Sequence, residues 1–135
     1  MGRAIDKQNG SNPKDRQDLE EGLIQFGILI IRVTEGMPRT SAGGHLSGQM
    51  LRSGTAPALN YAEAKAAGSH RDFTHKIKVV LKEIRETWVN LRMTDGSGMH
   101  LDEPLVADAL AESNELVAIF TQIVRTAERI SPPRK

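Results

Sequence analysis

Four histidines and seventeen carboxylates are the residues from which this chain of 135 could build a metal centre or an acid–base pair. The histidines are His45, His70, His75 and His100. Their spacing argues against both chemistries. There is no His-x-x-x-His and no Glu-x-x-His, so the inward ligand sets of a di-iron helical bundle are missing. The histidines read as scattered surface residues. With no cysteine, thiolate metal sites, disulfides and cysteine nucleophiles are excluded. Gly43-Gly44-His45-Leu46-Ser47-Gly48 is glycine-rich but lacks the Gly-Lys-Ser/Thr ending of a phosphate loop, and it is no Gly-x-Ser-x-Gly elbow. A flexible turn leading into a helix fits it better. No catalytic residue, metal ligand set or cofactor is expected, and the chain does not read as an enzyme.

Three other constellations carry polar or charged function. Asn60 and Glu63 lie one helical turn apart among Leu59, Tyr61, Ala62 and Ala64. Turned inward, such an acid needs a cation or several donors. Arg52, with Lys78 or Lys82, would supply one. Arg52, Asn60 and Glu63 are therefore expected to form a buried polar network that fixes helix register, with the Tyr61 hydroxyl nearby. An active-site role for Glu63 would need a pocket and a shifted pKa, and nothing in the sequence points to either. Glu83 and Glu86 read as polar packing or solvent charge.

The second constellation is basic. Arg71, Lys78, Arg85 and Arg92 recur every seven residues, with His75 and Lys82 between them on the same side. At 100° per residue they fall nearly opposite the apolar series from Phe73 to Leu91. A straight basic ridge can track a phosphate backbone, RNA or DNA. The plainer reading is a solvated face helped by local pairs such as Lys82–Glu86. The third constellation is acidic: Asp108, Glu112 and Glu115, at spacings of four and three, share a side with Ile119. The basic ridge of one copy could meet the acidic stripe of the next, a head-to-tail contact that closes into a ring if the rotation permits.

The elements that must position these residues are helices. The first starts near Asp15 or Asp18, with Asp18 a good N-cap, and runs to about Thr34. Leu23, Ile24, Phe26, Ile28, Leu29, Ile30, Ile31 and Val33 leave it almost no polar face, so part of its surface is expected to meet another copy. The second spans Ser41 to about Ala67, with a kink or local unwinding near Pro57 and a C-terminal cap at Gly68. The third opens with Ser69-x-x-Asp72 in the manner of a capping box and carries Phe73, Ile77, Val80, Leu81, Ile84, Trp88 and Leu91 on one face. Asp95-Gly96-Ser97-Gly98 reads as the loop that ends it. The fourth begins near Asp102, with Glu103 and Pro104 in its first turn. The fold class is all-α: an antiparallel up-and-down four-helix bundle over residues 15–130, between a flexible arm (1–14) and a short tail (131–135).

Bulk properties agree. Five aromatic residues leave the core to Leu, Ile, Val, Ala and Met. A formal charge of +1 argues against a strongly basic, non-specific nucleic-acid binder, while local stripes still count. The first residues hold no apolar signal segment, and Ile28–Ile31 is far too short to span a bilayer, so a cytoplasmic location and no membrane partner are expected.

Arg52-Ser53-x-Thr55-x-Pro57-x-x-Asn60-x-x-Glu63-Ala64, then Asp72-Phe73, then Leu81-Lys82-Glu83-x-x-Glu86-Thr87, form an ordered set with specific spacing. On this set the chain resembles the four-helix-bundle proteins named after 23S rRNA intervening sequences, from about Asp18 to Ala127. One position departs: members often carry an aromatic just before the leucine here numbered Leu91, and this chain has Asn90 there and Trp88 two residues earlier. The resemblance implies a homo-oligomer, commonly a pentameric ring, without established enzyme activity. The family is related to the accessory protein of diversity-generating retroelements, which joins a reverse transcriptase and contacts nucleic acid. By that analogy alone, a reverse-transcriptase-like partner is implied. The expected function is a non-enzymatic homo-oligomeric scaffold that binds nucleic acid or a nucleic-acid enzyme through the ridge of the third helix. The alternative is a purely structural self-assembling module for protein partners, with the charges of the third and fourth helices used in subunit contacts.

Overall fold

The computed structural model describes residues 13–130, with side chains from Asp18 onward. The expected arm lies outside them except for residues 13 and 14, and the tail lies wholly outside. Four helices follow one another: α1 (Pro13–Glu35), α2 (Ser41–Lys65), α3 (His70–Ser97) and α4 (Glu103–Ile130). Among the described residues there is no strand. Each helix packs on the next, most extensively α2 on α3, and α1 meets α4 to close the ring. With connections this short, consecutive helices run antiparallel, which is the expected bundle.

Local chemistry explains most of the boundaries. The first helix begins at Pro13, a residue preorganised for a first helical turn, so Asp18 lies inside the helix and is not its N-cap. Thr40 caps α2, its hydroxyl accepting the Gly43 N–H at 3.0 Å. That helix runs through Pro57 without a break, so the proline does not unwind it. It ends at Lys65 with Ala66 as cap, two residues short of the expected end and without using Gly68. Ser69 caps α3 as expected, accepting the Asp72 N–H at 3.1 Å. The third helix continues through Asp95–Ser97 and stops at Gly98, whose φ of 71° glycine adopts without strain. Asp102 Oδ1 accepts the Leu105 N–H at 3.1 Å and starts α4.

The core is aliphatic, built around Phe26, Ile30, Met50, Ile84, Leu91 and Phe120, all fully buried. Tyr61 stands edge-on to Phe120 with centroids 5.7 Å apart. Helices α1 and α2 approach closely at Gly27 and Gly54. A methyl group on Gly54 would lie 2.7–2.9 Å from three side-chain atoms of Ile30. At the other end of the bundle, His100 is a structural tie and not a surface histidine. It is 5 % exposed. Its Nε2–H donates to the Val33 carbonyl at 3.0 Å in the last turn of α1, and its Nδ1 accepts the Asp102 N–H at 3.2 Å. Both ring nitrogens are thus used by the neutral tautomer. His70 is half-buried and reaches the Ala127 carbonyl at the end of α4, 2.8 Å away.

Candidate nucleic-acid interface

Polar contacts between α2 and α3 form a ladder that runs from the end of α2 beside the start of α3 toward the middle of both helices. Glu63 pairs with Lys76 at 2.5 Å. Asn60 donates through Nδ2 to Glu83 Oε1 at 3.0 Å. Ser53 and Thr87 hydroxyls meet at 2.7 Å, both with no exposed surface. The Thr87 hydroxyl donates to its own helix, to the Glu83 carbonyl at 2.9 Å, so Ser53 is the donor in the pair. Arg52 reaches Glu86 at 3.5 Å.

This corrects the expected network. Arg52, Asn60 and Glu63 do not form one buried cluster: they occupy separate rungs, with Arg52 and Glu63 exposed and Asn60 half-buried. Neither Lys78 nor Lys82 is the ion-pair partner of Glu63; Lys76 is. The buried rung is instead the hydroxyl pair. In the sequence, Ser53 and Thr87 interrupt apolar helical patterns and both belong to the ordered motif set, but nothing local pairs them. Burial raises the Glu83 carboxyl above its usual 4.5, with Glu86 adding to the rise and the Asn60 hydrogen bond, Arg52 and Lys82 opposing it.

Beside the ladder lies an open groove of about 490 Å³. Arg52, Lys82 and Arg85 bring cations to it, Gln49 and Asn90 bring amides, and Val89 and Glu86 complete the wall. Asn90 is 7 % exposed, so its amide stands in the wall and not on the outer surface. Sequence reasoning missed this groove, because its two sides come from different helices.

The ridge residues Arg71, Lys78, Lys82, Arg85 and Arg92 are all exposed, on the face of α3 away from the core. They are not equivalent. Lys78 pairs with Glu128 of α4 at 2.9 Å. Arg92 lies over the Trp88 ring, 5.0 Å from its centroid, where the ring quadrupole attracts it. Arg71, Lys82 and Arg85 have no carboxylate within ion-pair distance among the described residues. The local Lys82–Glu86 pair does not form; Glu86 is turned toward Arg52. Past Arg85 the face turns apolar, with Val89 and Met93 about half exposed. On α4, Asp108 is exposed and Glu112 and Glu115 are half-buried. Glu128 marks the side of α4 that meets α3. At 100° per residue the three acids fall on the opposite side, so ridge and stripe of one chain face different directions.

The outer surface of α1 is apolar. Ile24, Ile28 and Ile31, at spacings of four and three, are 40 %, 43 % and 39 % exposed. The Gly27–Gly54 crossing sets Leu51 of α2, itself 42 % exposed, level with Ile31. Among the described residues no three His, Asp or Glu side chains could together hold a metal ion. None of their helices is long and apolar enough to cross a membrane.

No protein-family profile matches the chain, and no curated protein is significantly similar to it. Among solved structures it is similar to the crystal structure of a protein of unknown function from the S23 ribosomal protein family of Bacteroides thetaiotaomicron. The two share 26 % identity with a TM-score of 0.70, over 78 % of this chain and 96 % of that one. The family resemblance and the four-helix fold read from the sequence are both borne out.

Proposed function

From a chain that resembles the S23 ribosomal protein family in sequence and in fold, we propose a non-enzymatic homo-oligomeric helical scaffold that binds RNA or DNA through α3. The observation that carries the reading is the outer face of α3. Five basic side chains stand exposed along it, and three of them have no carboxylate partner among the described residues. Phosphate contacts exchange for counterions at such a face at little cost in lost internal pairing. The apolar surface of Ile24, Ile28, Ile31 and Leu51 supports the homo-oligomer, since a second copy would remove it from water. Five copies is the number the family resemblance implies. By analogy with the retroelement accessory protein, a reverse-transcriptase-like enzyme is the protein partner to try first, and the cytoplasm is the proposed location.

Fluorescence anisotropy with RNA and DNA across a salt series tests the reading, for wild type and for Lys78→Glu/Arg85→Glu. Affinity should fall as salt rises, with a shallower slope in the double variant. Absence of binding at low salt would remove the nucleic-acid reading.

One observation favours a second use of the same charges. The acids of α4 point away from α3 of their own chain, as a head-to-tail ring requires. In that reading the ridge meets Asp108, Glu112 and Glu115 of the neighbouring copy, and the protein is a structural module for protein partners. Arg85→Glu should then change the mass of the assembly by light scattering. An unchanged mass would discard this use of the ridge.

A further inference from the structure

We propose that the groove between α2 and α3 seats one unpaired nucleotide of a nucleic-acid strand. Its phosphate would lie among Arg52, Lys82 and Arg85, and its base would lie on Val89, with the polar edge toward Gln49 and Asn90. This rests on the nucleic-acid reading above and adds to it a location and a preference for single strands.

The lining is what such a ligand needs. Three cations converge from two helices on one concavity. Lys82 and Arg85 have no carboxylate within ion-pair distance among the described residues, and the Arg52–Glu86 pair, at 3.5 Å and largely exposed, exchanges for a phosphate with little loss. A merely solvated basic face has no reason to hold two amides and an apolar wall beside its cations. Here Asn90 is built into the wall at 7 % exposure. A volume of about 490 Å³ is of the size that holds a small ligand. An open groove of that size can take one base turned out of a strand, the form in which unpaired nucleic acid is read.

The test compares a labelled single strand with a duplex of equal length, by anisotropy at one salt concentration. The variants are Gln49→Ala/Arg52→Glu, in the groove but off the ridge, and Arg71→Glu/Lys78→Glu, on the ridge but outside the groove. All four positions are exposed, so the bundle should fold in each. The groove variant should lose about tenfold or more in single-strand affinity with little change for the duplex. The ridge variant should weaken both. If wild type binds but the groove variant holds the single strand as tightly as wild type, the groove is wrong and the ridge reading stands. If wild type binds neither probe, both fall together.

Discussion

The two flanks of α2 are held by different physics. Toward α1 the contact is steric: Gly54 lies against Ile30 with no room for a methyl group, and Gly27 faces it across the crossing. Toward α3 the contact is a ladder of polar pairs, of which only the Ser53–Thr87 hydroxyls are wholly buried. A steric contact tolerates no added atom and is indifferent to pH and salt. A polar ladder tolerates changes of size at its exposed rungs and answers to both. Function follows the same division. The close α1–α2 crossing sets Leu51 level with the exposed apolar residues of α1, while the more extensive α2–α3 seam is bordered by a groove.

The largest effect expected from breaking this contrast is on the steric flank. Gly54→Val should cost about 3 kcal/mol or more in chemical unfolding, because its Cβ would meet three atoms of one side chain and the helices would have to separate. Gly54→Ala should cost less, and its cost should shrink when measured in an Ile30→Ala background, where two of the three atoms it would meet are gone. If Gly54→Val melts like wild type, the crossing is not close and the contrast between the flanks disappears.

Next comes the buried rung. Thr87→Val leaves the Ser53 hydroxyl buried without a partner and should cost about 1–3 kcal/mol. Adding Ser53→Ala removes the orphan, so the double variant should lose less than the two single losses together. Strict additivity in that cycle would mean the hydroxyls do not act as a pair. At the exposed rungs, Arg52→Ala and Glu63→Ala should each stay within about 0.5 kcal/mol of wild type. A larger loss at either would make the ladder a cooperative network, as the sequence first suggested.

That first suggestion shows where sequence reasoning stops. Ser69 and Asp102 were legible because a cap acts within one turn of its own helix. The apolar periodicity of α3 was legible because burial on one face repeats every three or four residues. Arg52, Asn60 and Glu63 were misassigned because their facing depends on how far α2 is rotated between α1 and α3. That rotation is set by Gly54 on Ile30, a contact between residues distant in sequence. Lys78 pairs across to Glu128 and not within its helix for the same reason. His100 was read as a surface residue because its partners, Val33 and Asp102, are brought together only when the loop at 98–102 folds back over the end of α1.

The smallest predicted effect separates charge from shape at one rung. Glu83 has its carboxyl raised above 4.5, chiefly by burial. A raised acid holds its proton more tightly when folded than when unfolded, so stability is lost as pH climbs from 4.5 through the raised value, and above it the ionised group opposes folding. Glu83→Gln keeps an oxygen to accept the Asn60 amide and removes the charge. The variant should therefore melt slightly higher than wild type at neutral pH, by less than about 0.5 kcal/mol for so exposed a seam. The difference should vanish below pH 4.5, where both side chains are neutral. Should the glutamine variant melt lower at neutral pH, the charge-assisted hydrogen bond from Asn60 outweighs the burial of the carboxylate, and the ladder is held by charge as well as by shape.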